Sequence, residues 1–241
     1  MNMIDASSPL QPKVVLGIVA HPDDMDVAAG GSIARFVRDG AEAHYLILTD
    51  GSKGSDDIHM SSADLIQIRQ DEQRKALESV GGTSVTFLNH PDGELEITME
   101  LKKEIVKAIR SIKPDVVITF DPTMTYSASH GIINHPDHRA AGQAALDAVF
   151  PLARDRLAFP DLVAEGYAPH KTPTVLLINF DGGNVGIDIT DTFDAKVAAI
   201  RHHPSQFGEF DDDSWVRAMA EANGEQFGYD LAESFVRLDI K

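Results

Sequence analysis

The sequence lacks cysteine, and this absence limits the chemistry open to it. Its 241 residues include no cysteine, which excludes a disulfide framework, zinc held by cysteine and a thiol nucleophile. Histidine, aspartate and glutamate are therefore the side chains left to bind a metal ion. The chain has ten histidines, so a metal site built from imidazole and carboxylate groups is possible.

Positive charge is also scarce. Lysine and arginine number 21 against 38 aspartates and glutamates, which gives a formal net charge of −17. A domain this acidic repels phosphate backbones unless it carries a basic patch, and the sequence has no such patch. We therefore expect no nucleic-acid partner.

Long apolar stretches are missing as well. The longest apolar run, Val14–Ala20, is far shorter than the roughly 20 residues that a transmembrane helix needs. The polar start of the chain has neither the basic region nor the apolar region of a signal peptide. These features predict a cytoplasmic protein without a membrane partner.

Short β-branched runs alternate with longer amphipathic stretches along much of the chain. The runs predict strands and the stretches predict helices. The predicted strands are Val14–Ala20, Ala43–Thr49, Ser84–Leu88, Asp115–Phe120 and Thr174–Asn179, and the predicted helices are Ala28–Asp39, Ala63–Val80, Thr98–Ile112 and His138–Val149. Such alternation, with nearly continuous apolar strands, is typical of a parallel sheet covered by helices on both faces. We predict an α/β, Rossmann-like fold with a mostly parallel sheet in the strand order 3-2-1-4-5.

The C-terminal part of the chain predicts an extension of this fold. Residues 150–173 contain four prolines and predict an excursion that serves as a lid or as an interface in a homo-oligomer. Residues 180–185 predict a hairpin turn that leads into a strand at Val185–Ile189 and a helix at Thr192–His202. With residues 1–13 as an N-terminal tail, residues 1–241 are predicted to form a single domain.

Two histidine-containing motifs follow predicted strands. His21–Asp24 (HPDD) comes directly after the first strand, and His135–His138 (HPDH) comes after the fourth. In the order 3-2-1-4-5 these strands are neighbours, so their carboxyl ends flank one crevice. The first turn lacks the GxGxxG pattern of dinucleotide-binding folds. We expect the two motifs to form one site, whereas a third motif, His90–Asp92, lacks an extra ligand-type residue.

The first and last of these motifs could bind a divalent cation. His21, Asp24 and His138 would provide two imidazoles and one carboxylate, which together with a water is the pattern of a catalytic zinc site. The same donors accept iron, cobalt or manganese. Bound zinc lowers the pKa of its water toward about 7, and Asp23 is placed to act as the general base.

The neighbouring residues have both functional and structural interpretations. His135 could polarise a carbonyl group and stabilise an oxyanion, with Asp137 orienting its imidazole. In the structural interpretation each HPD motif is a capped turn, and Asp24 only caps the helix that follows.

Several further motifs, in the same order along the chain, resemble the PIG-L/LmbE-like family of zinc-dependent N-acetyl-sugar deacetylases. They span about residues 14–206, which makes coincidence an inadequate explanation. The resemblance is carried by AHPDD (20–24) with AAGG (28–31), LTDGSKGS (48–55), Arg69 with Glu72, FL (87–88) with PDG (91–93), NHPDHRAAG (134–142), and the segment from Lys196 to Gln206.

The resemblance implies specific roles for residues of the site. It implies zinc on His21, Asp24 and His138, with Asp23 as the general base. It also implies that His135 stabilises the oxyanion or acts as a general acid.

The resemblance further implies substrate contacts from Arg69 and Asp92. Ser52 and Lys53, in the TDGSKGS loop, either contact sugar hydroxyls or only shape a glycine-rich turn. The alternative for Arg69 is a helix-surface ion pair with Glu72.

The activity implied is hydrolysis of the acetamide of an N-acetylglucosamine-type sugar or short saccharide, which releases acetate and an amino sugar. One alternative is an amidase of another linear amide, such as a thiol-glucosaminide conjugate. Ile133 argues against that conjugate, because mycothiol-pathway members have tyrosine there; Tyr126 is a candidate substitute. A non-catalytic metal-binding protein is the other alternative, and the missing GxGxxG argues against a nucleotide-binding module. His203 is expected to be structural and to help hold the loop after the first strand.

Overall fold

The computed structural model describes residues 10–241, so most of the predicted N-terminal tail lies outside the described residues. Strands and helices alternate along most of the chain. The strands are β1 (Val14–Val19), β2 (Glu42–Thr49), β3 (Ser84–His90), β4 (Val116–Phe120), β5 (Tyr126–Ser127), β6 (Ile132–Ile133), β7 (Thr174–Ile178), β8 (Val185–Asp188) and β9 (Ala232–Asp239). The α-helices are α1 (Asp24–Arg38), α2 (Ser62–Ser79), α3 (Met99–Ile112), α4 (Pro136–Asp147), α5 (Pro160–Ala164), α6 (Phe193–Arg201), α7 (Pro204–Phe207) and α8 (Ser214–Phe227).

Seven strands form the central sheet, in the order β3-β2-β1-β4-β7-β9-β8. β1 pairs in parallel with β2 and β4, and β4 pairs in parallel with β7. Since β7 is the fifth predicted strand, the predicted order 3-2-1-4-5 is confirmed. β5 and β6 form a separate two-stranded hairpin.

The C-terminal extension differs in detail from its prediction. β8 does not form a hairpin with β7, because β9 lies between them and pairs antiparallel with both. The sequence analysis missed β9 and the preceding helix α8. In β9 two acidic residues and an arginine interrupt the apolar pattern, and its position depends on pairing with strands far away in the sequence.

Helices cover both faces of the sheet, as predicted. The side chains of β1 show the division: Val15 and Val19 pack into one hydrophobic core, and Leu16 and Ile18 pack into the other. Helices α1, α2 and α6 pack together on one side, and α3 and α4 on the opposite side. The alternation follows from the strand geometry, in which successive side chains point to opposite faces.

Two helices begin two or more residues earlier than predicted. The first starts at Asp24 instead of Ala28, and the fourth starts at Pro136 instead of His138. Proline suits the first position of a helix because its missing N–H has no intrahelical acceptor there. Both HPD motifs are therefore parts of helix N-termini.

The proline-rich excursion is attached at the far end of the sheet from these motifs. Arg110 of α3 donates hydrogen bonds to the carbonyls of Leu152, Ala153, Asp155 and Ala158. His170 donates to the carbonyl of Pro114, just before the amino end of β4. The assignment of residues 150–173 as lid or interface stays a prediction. No helix within residues 10–241 is both long enough and apolar enough to span a membrane.

Candidate metal centre

The two HPD motifs meet at the carboxyl ends of β1 and β4. One forms the turn between β1 and α1, and the other begins α4 after β4. Because β1 and β4 are adjacent and parallel, both turns lie at the same edge of the sheet. The ring centroids of His21 and His138 are 5.2 Å apart, which confirms the predicted meeting of the motifs.

Asp24 lies between these two imidazoles. Its Oδ2 accepts a hydrogen bond from the backbone N–H of His21 at 2.7 Å and is 3.4 Å from His21 Nδ1. Its Oδ1 is 3.1 Å from His138 Nε2. Burial alone would raise the pKa of Asp24, but the charges of His138 and His21 hold it well below its usual value. The alternative in which Asp24 caps α1 is wrong, because the N-cap residue is Asp23.

The hydrogen bonds of His138 define which of its nitrogens is free. Asn134 donates from Nδ2 to the carbonyl of Met124 at 2.8 Å, so its Oδ1 faces His138 Nδ1 at 3.1 Å. His138 therefore carries a proton on Nδ1, and Nε2 is the nitrogen that faces Asp24. Stacking on Phe120, with ring centroids 4.0 Å apart and planes 4° from parallel, fixes the ring. An imidazole held in this way has Nε2 directed at the site, where it can act as a metal ligand.

His21 is surrounded by carboxylates. Its Nε2 is 3.3 Å from Asp92 Oδ1 and 3.4 Å from Asp137 Oδ2, on the side opposite Asp24. Burial alone would lower the pKa of His21, but Asp24, Asp137 and Asp92 together raise it to about 12. A site that holds a proton this strongly favours positive charge. A divalent cation therefore fits these residues, with Nδ1 as ligand and Nε2–H donating to a carboxylate.

Asp137 contacts the His135 ring through its backbone and not through its carboxylate. The Asp137 carboxylate does not orient the His135 ring by a hydrogen bond, since it lies 4.0 Å from Nδ1. Instead, the backbone N–H of Asp137 donates to His135 Nδ1 at 3.2 Å, and the carboxylate accepts hydrogen bonds from the N–H groups of Gly93 and Leu95. These contacts leave the proton of His135 on Nε2. Burial and the charges of His21 and His138 lower the pKa of His135, so its neutral form is favoured.

The distances between ligand atoms, taken alone, indicate two sets that do not include Asp24. In the first set, the ligand atoms of His21, His135 and His138 all lie within 4.8 Å of one another. The second set meets the same distance limit and consists of His21, Asp92, His135 and Asp137. The hydrogen bond that His135 Nδ1 accepts counts against these sets, because it places a proton on Nε2, the only other nitrogen. The tautomers favour His21, Asp24 and His138.

Asp23 lies beside the ligand set and has an ionic partner. Its Oδ2 is 3.2 Å from Arg69 Nη2, and its backbone N–H donates to Gln73 Oε1 at 2.9 Å. Burial raises the pKa of Asp23 to about 6, with Arg69 opposing the shift and Asp24 adding to it. Such a carboxylate changes its protonation state near neutral pH, which suits a general base.

Arg69 is buried, with 4% of its surface exposed. It donates hydrogen bonds to the carbonyls of Pro22 and Gly51 as well as to Asp23. Glu72 is also buried and accepts hydrogen bonds from Ser205. The alternative of a surface ion pair between Arg69 and Glu72 is therefore wrong, whereas a substrate contact of Arg69 stays a prediction.

The other predicted substrate residues belong to two loops, after β2 and after β3, that hydrogen bonds join. Asp92 Oδ2 accepts from the N–H of Lys53 at 2.9 Å, while Asp50 Oδ1 accepts from the N–H groups of Asp92 and Ser52. The ammonium group of Lys53 pairs with Glu94 at 2.7 Å. These bonds support the turn-shaping alternative for Ser52 and Lys53, and their contacts with a sugar stay predictions. Asp92 contacts His21 directly.

Sequence reasoning missed a buried chain of polar residues behind Asp23. His203 Nε2 is 2.9 Å from Asp26 Oδ2, and Gln73 donates to the same oxygen at 2.7 Å. This agrees with the expected structural role of His203. The sequence did contain a pattern that could have predicted this chain. Leu65, Arg69 and Gln73 are spaced four residues apart along α2, so the two polar residues share its buried face with Leu65.

Comparisons with known proteins identify the family of the chain. The family model described as PIG-L: GlcNAc-PI de-N-acetylase matches residues 16–149. The chain belongs to the PIG-L family. The family resemblance inferred from the motifs is therefore confirmed.

Members of the PIG-L family and related structures align with almost the whole chain. Diacetylchitobiose deacetylase from Thermococcus kodakarensis is 35% identical over 224 residues, which cover 92% of this chain and 81% of that protein. Probable N-acetyl-alpha-D-glucosaminyl L-malate deacetylase 2 from Bacillus cereus is 29% identical and covers 80% of this chain and 83% of its own. The structure of N,N'-diacetylchitobiose deacetylase from Pyrococcus horikoshii, solved with an inhibitor, superposes with a TM-score of 0.88 at 31% identity and covers 98% of this chain and 87% of that one.

Proposed function

We propose that the protein is a metal-dependent hydrolase that removes the acetyl group from an N-acetylglucosamine-type sugar. The observation that carries the proposal is the Asp24 carboxylate, which lies between Nδ1 of His21 and Nε2 of His138. A second carboxylate, Asp23, lies beside this set and is not needed as a ligand. Relatives that match most of the chain are named as deacetylases of acetylated amino sugars.

The donor set supports a divalent cation, and we propose zinc. Bound there, it would act as a Lewis acid and lower the pKa of a coordinated water toward about 7. Two imidazoles and one carboxylate also accept iron, cobalt or manganese. The ligands would be His21, Asp24 and His138.

Two residues of the chain would carry the proton transfers and hold the developing charge. Asp23, with its pKa raised to about 6, is ionised at neutral pH and can accept the proton of the attacking water. The same group, once protonated, can deliver that proton to the departing amine. His135, neutral with its proton on Nε2, can donate a hydrogen bond to the carbonyl oxygen as it becomes negative.

The proposed substrate is a small acetamido sugar or a short saccharide, and the products are acetate and an amino sugar. Arg69, Asp92, Ser52 and Lys53 are the proposed substrate contacts. Asp92 directly contacts one of the proposed metal ligands, because its Oδ1 is 3.3 Å from His21 Nε2.

A second candidate is the same reaction on a conjugate of glucosamine. The Bacillus cereus relative, named for a glucosaminyl malate substrate, favours it. Ile133, which is 84% exposed, replaces the tyrosine of mycothiol-pathway members and argues against a thiol conjugate. Tyr126, the partner of Ile133 in the β5–β6 hairpin, is the proposed substitute.

Acetate release from a panel of substrates tests the proposal. The purified protein, with its metal content measured, is incubated with N-acetylglucosamine, its dimer, and malate- and thiol-linked N-acetylglucosaminides. We expect release from at least one sugar, loss of activity after chelation, and recovery with zinc. Full metal occupancy without acetate from any substrate would instead support a non-catalytic metal-binding protein.

The assembly and location of the protein are further proposals. We expect a single domain over residues 1–241, in which residues 150–173 form either a lid or the interface of a homo-oligomer; light scattering of the intact chain distinguishes a monomer from an oligomer. A cytoplasmic location stays a prediction, which cell fractionation tests.

A further inference from the structure

Asp23 has an unusual backbone conformation for its position. It is the N-cap residue of α1, with φ 100° and ψ −33°. An aspartate at this position normally turns its carboxylate onto an N–H of the first helical turn. The Asp23 side chain makes no such capping bond. Other contacts must therefore hold the left-handed backbone and direct the carboxylate toward the metal centre.

Helix α2 provides two of these contacts, one turn apart. Arg69 binds the Asp23 carboxylate at 3.2 Å, and Gln73 accepts the Asp23 N–H at 2.9 Å. Residues at i and i+4 lie on the same face of a helix. Asp23 is thus held at its carboxylate and at its backbone by neighbouring side chains of one rigid element.

The residues behind Gln73 determine the direction of its amide. Asp26 Oδ2 accepts from Gln73 Nε2 at 2.7 Å and faces His203 Nε2 at 2.9 Å, while Oδ1 accepts from the hydroxyl of Tyr45 at 3.3 Å. Since the backbone N–H of Asp23 can only donate, Gln73 must present its oxygen to Asp23 and its NH2 group to Asp26. Asp26, Gln73 and His203 are fully buried, so water does not compete for these bonds.

We infer that Gln73 is a positioning residue for the catalytic base. It fixes the backbone of Asp23 and so keeps the carboxylate from turning onto α1, while the buried chain from His203 through Asp26 holds the Gln73 amide in its required orientation. The inference rests on the proposed function, in which Asp23 is the base.

Gln73→Leu, measured in the metal-loaded enzyme, tests the inference. We expect kcat to fall roughly 10- to 100-fold, because a buried N–H loses its acceptor and the base loses its orientation. KM and the metal content per chain should stay within about twofold of wild type. Gln67→Leu, on the exposed side of the same helix, is the matched control and should leave kcat unchanged. Gln73→Met, which keeps the unbranched shape, is measured in parallel in case the leucine variant folds poorly.

A double-mutant cycle separates positioning from a general structural effect. If Gln73 acts through Asp23, adding Gln73→Leu to Asp23→Asn should lower the residual rate by less than about twofold. Amide hydrogen exchange gives a second readout that does not depend on activity: the Asp23 N–H should exchange faster in Gln73→Leu, with the amides in the middle of α1 unchanged.

Three results would overturn the inference. These are a kcat for Gln73→Leu within about twofold of wild type, a loss in the Asp23→Asn background as large as in the wild type, or unchanged exchange of the Asp23 amide. Failure of the proposed function gives a different result. The wild type would then release no acetate, while the Asp23 amide would still exchange faster in Gln73→Leu, which would show that Gln73 holds the Asp23 backbone.

Discussion

Replacing Asp23 by asparagine removes the proposed base and keeps its shape. Asparagine cannot accept a proton from water, and general-base catalysis contributes about 10²–10⁴-fold to a rate. We therefore expect kcat to fall by about 10²–10⁴, which corresponds to about 3–5 kcal/mol of transition-state stabilisation. The water-activating effect of the cation, held by other residues, sets the lower limit of the remaining rate.

The structure indicates that this variant will fold. Arg69 loses its carboxylate partner but keeps the carbonyls of Pro22 and Gly51 as acceptors. Burial already opposes ionisation of Asp23, since it raises the pKa to about 6, so removing the charge also removes a desolvation cost. We expect the free energy of unfolding to change by about 1–3 kcal/mol at most.

The assay compares acetate release, metal content and denaturation midpoint for Asp23→Asn and wild type. Asp39→Asn, at the exposed C-terminal end of the same helix, is the control and should keep its rate within about twofold. Metal content should be unchanged in both variants, because neither residue is a proposed ligand. A kcat for Asp23→Asn within about tenfold of wild type, with full metal occupancy, would refute the base assignment.

Three further predictions concern the ligands, the pH dependence and the packing of the site. Asp24→Asn should weaken metal binding by more than ~10-fold, because it removes the carboxylate between two imidazoles; full metal retention after dialysis, measured by mass spectrometry, would contradict this ligand. Activity should fall as the pH drops below about 6, because Asp23, whose pKa burial raises to about 6, is then protonated and cannot accept a proton; a pH–rate profile that stays flat down to about pH 5 would argue against it. Gly142→Ala should lower the free energy of unfolding by about 1–3 kcal/mol, because the added Cβ would overlap the Phe120 carbonyl oxygen and push α4 away from β4. An unchanged urea midpoint would show that α4 moves without a cost in stability.

Local patterns were sufficient to predict the parallel core of the sheet. The strand at Val14 and the helix ending at Ile112 each carry their periodicity within one short segment, and alternation of such segments restricts the topology. The same reasoning failed for β9, whose charged residues interrupt the pattern. β9 is specified by its pairing with β7, in which Thr174 lies opposite Asp239, a contact that no local window contains.

The chemistry of the site divides in a similar way. The two HPD motifs and the absence of cysteine identified His21, Asp24 and His138 as the ligand candidates, because strand order alone places both turns at one crevice. Sequence could not assign the free nitrogen of His138, which depends on a hydrogen bond to Asn134. It predicted Asp137 as the partner of the His135 ring, but not that the backbone N–H of Asp137 makes the bond, because that contact depends on the folded turn.

By itself, the sequence determined which residue types are available to bind a cation and at which strand ends they lie, because both are properties of short segments. Only the tertiary structure decided how the proposed base is held. Asp26 is 47 residues from Gln73 and 177 residues from His203, yet the three form one buried chain behind Asp23. Burial and hydrogen-bond direction are properties of the packed molecule, and these two properties orient the carboxylate of Asp23.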